Sequence, residues 1–110
     1  MSDTTKLPTT PEELCERAAQ EIKRRGWTQG KFIDKHGHVC LIGALRLASG
    51  SGPHGPVYSD VYLAARVRLR SVGRIKNLPI WNDRQVRTVA HVLALLRKVA
   101  TRVSAVERTR

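Results

Sequence analysis

Apolar side chains recur at helical spacing in several stretches of the chain, and the first stretch is the clearest. Thr10 is a good helix cap, Pro11 suits the first helical position, and Glu13 completes a capping box. Gly26 is a natural C-terminal stop. The pattern therefore predicts a first helix between Thr10 and Gly26. Its apolar face consists of Leu14, Cys15, Ala18, Ala19 and Ile22.

The second apolar stretch runs from residue 40 to residue 49 and is nearly all apolar. Its length, its alanines and the following Gly50 favour a buried helix over a strand. Before it, residues 34–37 read Asp-Lys-His-Gly, which is turn chemistry. A short hairpin that pairs residues 31–33 with residues 38–40 is therefore left open.

A third helix is predicted from a cap at Ser59 through about Val72. Residues 66–70 alternate between arginine and apolar side chains, as a strand would, but residues 62–65 lead into them without a break and favour a helix. Its buried side is predicted to comprise Val61, Ala64, Ala65 and Val72, with Leu63 or Leu69 beside them.

The last helix is predicted to begin at a cap formed by Asn82 or Asp83, with Trp81 anchoring the preceding connector in the core. Its apolar stripe comprises Val86, Val89, Ala90, Leu93, Leu96, Ala100 and Val103, widened by Val92, Leu95 and Val99.

These elements predict an all-α, compact domain of about four helices, with the minimal β-hairpin before the second helix as an open addition. We expect a flexible arm at residues 1–9, a single domain at residues 10–103 and a flexible tail at residues 104–110. No apolar run approaches the roughly 20 residues that span a bilayer, and residues 1–6 lack a signal-peptide pattern. We therefore expect a cytoplasmic protein with reduced cysteines.

The formal net charge is +11, and its distribution is uneven. Residues 1–30 contain five basic and five acidic side chains, whereas residues 31–110 contain fifteen basic and four acidic ones. The whole excess of positive charge therefore follows the first helix. Such asymmetry indicates a polyanionic partner.

Several segments occur in a recognisable order: Thr10–Leu14, Gly26-Trp27, Val39–Leu45, Trp81–Asp83 and Val92–Arg97. The most specific parts are the Cys-x-x-Gly-Ala-Leu segment and the Trp-Asn-Asp tripeptide. This order is similar to that of a family of small uncharacterised proteins from actinobacteria and their phages, over roughly residues 10–100. The resemblance implies a bacterial or phage origin and hence a bacterial cytoplasm, but no mechanism, because the family has no established activity.

Cys40 is the residue most suggestive of catalysis, because a thiol at a helix N-terminus can have a lowered pKa. His36, His38 and Asn82 are candidate partners in a Cys-His-Asn arrangement. No cysteine-hydrolase signature surrounds the thiol, so we favour a small buried side chain packed beside Gly43. We predict no enzyme activity.

A metal site would need His36, His38 and Cys40, with Cys15 or His54 as a fourth ligand. No paired metal-binding motif supports such a site, and histidines at a surface turn are the simpler interpretation. The glycine-rich residues 50–55 lack the Lys-Ser/Thr of a phosphate loop. We therefore predict neither a metal nor another cofactor.

The strongest functional signal is a run of basic side chains from the third helix to the start of the last. Arginine predominates in this run, and its planar fork suits phosphate oxygens. We predict contact with the backbone of DNA or RNA, although no helix-turn-helix, zinc-finger or RNA-binding signature accompanies the run. The alternative is an interaction module that binds and modulates an acidic host protein. The candidate contact residues are Arg66, Arg68, Arg70, Arg74, Lys76, Arg84 and Arg87.

Overall fold

A computed structural model describes residues 7–51, 59–86 and 88–101. These residues form five α-helices: α1 (Pro11–Arg25), α2 (Leu41–Ala48), α3 (Asp60–Gly73), the short α4 (Leu78–Ile80) and α5 (Val89–Ala100). A π-helical turn, Trp81–Gln85, follows α4 directly. The described residues form isolated β-bridges but no strand, so the predicted all-α class is confirmed.

The central helix is α1, which packs against α2, α3 and α5. Its predicted start is confirmed, because Thr10 Oγ1 accepts a hydrogen bond from the backbone N–H of Glu13 at 3.1 Å. The Glu13 carboxylate in turn accepts from the backbone N–H of Thr9 at 2.8 Å. Gly26 ends the helix with φ 96°, and its N–H donates to the Ile22 carbonyl. The apolar face predicted for α1 is buried at Leu14, Cys15, Ala18 and Ile22.

The apolar run after Cys40 forms the predicted buried helix, α2. Its cap is Cys40, whose Sγ accepts from the backbone N–H of Gly43 at 3.3 Å. A Cβ added at Gly43 would lie 2.0 Å from the carbonyl oxygen of Phe32. Only glycine therefore lets the backbone at Phe32 pass this close to α2. Arg46 is also buried, and its guanidinium lies 5.0 Å from the centroid of the Phe32 ring.

The turn predicted between α1 and α2 is present at residues 34–37. Asp34 Oδ1 accepts from the backbone N–H groups of His36 and His38, both at 2.9 Å. Instead of hairpin strands, the segment contains two isolated bridges, in which Val39 pairs antiparallel with Ile33 and parallel with Trp27. Of the hairpin that the sequence left open, only the antiparallel bridge between Ile33 and Val39 is therefore present, and Trp27 lies outside the predicted hairpin.

The bounds predicted for α3 are confirmed, and Ser59 Oγ accepts from the backbone N–H of Tyr62 at 3.1 Å. The buried line of α3 agrees with the predicted one in part. Ala65 and Leu69 are buried as predicted, Tyr62 is buried as well, and Val61, Ala64 and Val72 are half-buried. Both α1 and α5 pack against α3.

The predicted start of the last helix is wrong. Asn82 and Asp83 lie in the π-helical turn, Val86 is extended, and α5 begins at Val89. The Asn82 side chain is buried in the core and does not cap α5, because its Oδ1 instead accepts from the backbone N–H of Leu41, the first residue of α2. The buried stripe of α5 comprises Val92, Leu95, Leu96 and Val99, whereas Leu93 is only half-buried and Ala90 is exposed.

Two predicted segments fall largely outside the described residues. These are residues 1–6 of the arm and all of the tail at residues 104–110, together with Val103 of the predicted stripe. Of the rest of the arm, Leu7 is exposed and Pro8 is buried. None of the helices in the described part of the chain is long and apolar enough to cross a membrane.

Candidate nucleic-acid interface

A shallow groove lies beside the C-terminal half of α3, and we call it the α3 groove. Its volume is about 430 Å³, and it is lined by Val67, Arg70, Ser71, Arg74, Ile75 and Lys76. Three of the predicted contact residues, Arg70, Arg74 and Lys76, are therefore brought together around one opening. All three are exposed.

The end of α3 is closed by backbone hydrogen bonds and needs no side chain from the groove. The N–H of Ile75 donates to the Arg70 carbonyl at 2.9 Å and the N–H of Arg74 donates to the Ser71 carbonyl at 3.4 Å. This is the Schellman arrangement, which usually places glycine at the left-handed position. Here that position is Arg74, with φ 56°. An arginine that lines the α3 groove is therefore held in a backbone conformation that costs about 1 kcal/mol or more.

No acidic side chain lines the α3 groove in the part of the chain that the structure describes. Within the described residues, no ion pair joins Arg70, Arg74 or Lys76 to a carboxylate. Asp60, the acid of α3 itself, stands at the opposite end of the helix. The α3 groove is therefore a site of concentrated positive charge that faces solvent.

Arg66 and Arg68 do not line the α3 groove. Arg66 is half-buried over the ring of Tyr62, with its guanidinium 5.8 Å from the ring centroid. Arg68 lies on the other flank of α3 and forms an ion pair with Glu12 of α1, which is buried. Arg68 thus joins two helices, a role that its sequence neighbourhood does not indicate.

The remaining two candidates lie further along the chain. Arg84 is exposed on the π-helical turn and does not line the α3 groove, and Arg87 lies outside the described residues.

Sequence reasoning missed that α3 also exposes apolar side chains. Leu63 and Val67 are 53% and 61% exposed. Their helical phase is the signal that was available, since both stand on the side of α3 opposite Ala65 and Leu69.

A buried polar cluster is centred on Asn82, which lies in the segment between α3 and α5, here called the connector. Asn82 Oδ1 accepts from the indole N–H of Trp27 at 2.8 Å and from the backbone N–H of Leu41 at 3.1 Å. Its Nδ2 donates to the Thr28 carbonyl at 3.3 Å and to Asp83 Oδ1 at 2.8 Å. All four hydrogen-bonding positions of this fully buried amide are thus used. The cluster fastens the connector to the segment after α1 and to the start of α2.

The same cluster also supplies hydrogen-bond partners for backbone carbonyls of the π-helical turn and of the residue after it. Gln29 Nε2 donates to the carbonyl oxygens of Asn82 and Val86, at 2.8 and 3.0 Å. Asp83 Oδ1 also accepts from the backbone N–H of Gly30 at 2.9 Å. The Trp-Asn-Asp tripeptide is therefore a structural element, as predicted, although Asn82 acts mainly through long-range bonds and not as the cap of the last helix.

Cys40 is buried at the start of α2, and its surroundings do not activate the thiol. Burial raises the pKa of the Cys40 thiol, against hydrogen bonds from the N–H groups of Gly43 and Ile42, and the Asp83 carboxylate raises it further. Burial likewise raises the pKa of the Cys15 thiol to about 12. Neither thiol has the lowered pKa of a cysteine nucleophile.

The candidate partners of Cys40 are engaged elsewhere. The Asn82 amide is fully used in the buried cluster, and His38 Nδ1 lies 3.0 Å from Asp34 Oδ2. His36 and His38 lie with ring centroids 5.8 Å apart, yet the described residues contain no group of three or more side chains able to hold a metal ion. The fourth-ligand candidate His54 lies outside the described residues.

Fold and surface together define a small, all-α protein with a basic groove at the end of its third helix. The chain belongs to DUF6197, a family of unknown function, which matches residues 6–102. No curated protein and no solved structure matches the chain significantly.

Proposed function

We propose that this protein is a non-enzymatic binding protein that contacts the phosphate backbone of nucleic acid through the α3 groove. The observation that carries the proposal is the convergence of Arg70, Arg74 and Lys76 on one open groove, whose lining among the described residues contains no acid. Two of the three are arginines, whose guanidinium groups bind phosphate oxygens in pairs of parallel hydrogen bonds. Because the three side chains are exposed, phosphates reach them without rearrangement of the protein core.

The strained backbone at Arg74 adds independent support. Glycine or asparagine would occupy a left-handed position at lower cost. An arginine at this position adds a positive charge beside Arg70 and Lys76, which is useful for holding an anion. Strain of this kind is common where a side chain serves a binding function.

The proposal extends to Arg84 and Arg87 as outlying contacts, and it assigns Arg68 a mainly structural role through Glu12. It requires no cofactor. The family resemblance favours a bacterium or a phage as the source, and we propose that the protein acts in the bacterial cytoplasm. The raised pKa of Cys40 supports a binding function over thiol catalysis.

A second candidate function is binding of an acidic host protein. The observation that favours it is the exposure of Leu63 and Val67 next to the basic side chains, since protein partners bury apolar side chains at the centre of an interface. The two functions differ in salt dependence. Backbone binding to nucleic acid weakens steeply with salt, whereas a protein interface with an apolar centre tolerates moderate salt better.

The test compares two double variants that lose the same charge. Arg70→Gln with Lys76→Gln removes two charges from the α3 groove, whereas Lys23→Gln with Lys35→Gln removes two exposed charges elsewhere. Binding to duplex DNA of mixed sequence is measured by fluorescence anisotropy across a range of salt concentrations. We expect the negative slope of log affinity against log salt concentration to become shallower in the groove variant, by up to about 0.9 per lost contact.

The control variant is expected to change the slope much less, because its charges lie away from the contact. Equal effects of the two variants would refute the α3 groove as the binding surface. If the parent protein binds no nucleic acid at low salt, the nucleic-acid function is wrong and the acidic protein becomes the leading candidate.

A further inference from the structure

The outer face of α3 combines apolar and basic side chains in one stripe, formed by Leu63, Val67 and Arg70, and Arg74 follows directly after the end of the helix. The spacing of four and three residues places the three helical side chains on one side of α3. Leu63 and Val67 are 53% and 61% exposed, and both arginines are exposed. The stripe faces away from the Ala65–Leu69 side, on which α3 packs against α1 and α5. Contact with phosphates alone uses the arginines and leaves the two apolar side chains without a role.

We infer that α3 lies with its outer face in the major groove of duplex DNA, where Leu63 and Val67 contact thymine methyl groups. This inference rests on the proposed function. An α-helix with side chains is about 10–12 Å wide and the major groove is about 12 Å wide, so one helix fits. The thymine C5-methyl is the apolar group that this groove presents, and aliphatic side chains are its usual partners.

The order of the side chains along α3 agrees with this placement. The apolar part, Leu63 and Val67, precedes the basic part, Arg70 and Arg74, along the chain. Less than one helical turn separates Val67 from Arg70. With the apolar part against the base edges, the basic part and Lys76 lie where the helix leaves the groove and meets the phosphates. Positive charge at this end is also favoured by the negative end of the helix dipole, so the arrangement is stable before DNA binds.

The inference predicts that methyl groups of DNA contribute to affinity. Two duplexes of about 20 A·T pairs are compared, one with thymidine and one with deoxyuridine, which differ only in the C5-methyl. Burial of one methyl group changes the affinity about fourfold. We expect the parent protein to bind the thymidine duplex about fourfold or more tightly, measured by anisotropy at one salt concentration.

The variant Leu63→Ala with Val67→Ala is expected to bring the ratio of the two affinities close to one. Both side chains are mostly exposed, so the fold is expected to persist, and circular dichroism checks this. The matched control is Ile80→Ala in α4, which also removes an exposed aliphatic side chain (46% exposed) but from another element. This control is expected to keep the parent ratio.

The possible outcomes separate the inference from the function on which it rests. Equal affinity for the two duplexes, together with a salt slope that depends on Arg70 and Lys76, would overturn the major-groove placement and leave backbone binding intact. Tighter binding to single strands or to duplex RNA would also overturn it, because the RNA major groove is too narrow for a helix. Absence of binding to every nucleic acid at low salt would refute both proposals.

Discussion

Replacing Asn82 with alanine tests whether the buried amide cluster fastens the connector to the rest of the fold. The substitution removes the acceptor of two donors, the half-buried indole N–H of Trp27 and the buried backbone N–H of Leu41. Each donor left without a partner costs about 1–3 kcal/mol. The free energy of unfolding is therefore expected to fall by about 2–6 kcal/mol, a large part of the 5–15 kcal/mol that is typical of a domain.

The magnitude distinguishes the observed cluster from the helix cap predicted by the sequence. Loss of a cap costs about 0.5–2 kcal/mol, typically near 1. Urea denaturation followed by far-UV circular dichroism gives the free energy of unfolding. An unchanged slope of this free energy against urea concentration shows that the variant unfolds from the same folded state. A loss below about 2 kcal/mol, which a cap alone would explain, would refute the cluster as a main source of stability.

A double-mutant cycle with Trp27→Phe isolates one bond of the cluster. Phenylalanine keeps much of the apolar ring but removes the N–H that donates to Asn82 Oδ1. If the two side chains act through this bond, Trp27→Phe costs less in the Asn82→Ala background than in the parent, by about 0.5–3 kcal/mol. Additive effects would show that Trp27 contributes by packing alone.

Three further predictions concern other parts of the fold. Gly43→Ala is expected to lower the free energy of unfolding by about 3 kcal/mol or more, measured in urea, because the new Cβ would lie 2.0 Å from the Phe32 carbonyl oxygen. Arg74→Gly is expected to raise it by about 0.5–1 kcal/mol while weakening DNA binding, because glycine relieves the positive φ. Burial opposes ionisation of Asp34, but hydrogen bonds from the N–H groups of His38 and His36 outweigh it and lower its pKa to about 2. Because the pKa of Asp34 is lower in the folded state, its carboxylate stabilises the fold above about pH 4, and this contribution is lost as the pH falls toward 2. Asp34→Asn should therefore flatten the acidic part of the plot of unfolding free energy against pH.

The sequence predicted best the elements whose signals are local. The cap at Thr10, the stop at Gly26 and the cap at Ser59 all act within four residues of themselves, and each was found where it was predicted. The same holds for the turn at Asp34, whose carboxylate bonds to N–H groups two and four residues later. Such signals depend on backbone conformation alone, so they can be read without knowledge of the fold.

The prediction failed where a polar residue bonds to distant parts of the chain. Asparagine is a residue type that commonly caps helices, but the partners of Asn82, Trp27 and Leu41, lie 55 and 41 residues away. Arg68 resembles its neighbours Arg66 and Arg70, yet it pairs with Glu12, 56 residues away. Local sequence cannot distinguish a cap from a core amide, or a contact arginine from a structural one, because the difference lies in tertiary packing.

The buried cluster and the α3 groove are mechanically linked through the connector between α3 and α5. The connector leaves α3 at Arg74, where the Ile75 N–H bonds back to the Arg70 carbonyl, and it is held again at buried Leu78 and Asn82. Lys76 lies between these anchor points, so its position in the groove depends on both. Asn82→Ala is therefore expected to weaken DNA binding even though Asn82 touches no groove residue. A variant that remains folded but releases the connector should lose the contribution of Lys76 and keep that of Arg70, whose place is fixed by α3 itself. The salt slope would then fall by up to about 0.9, the value for one contact, and a fall as large as that of the Arg70→Gln, Lys76→Gln variant would show that the whole groove had collapsed.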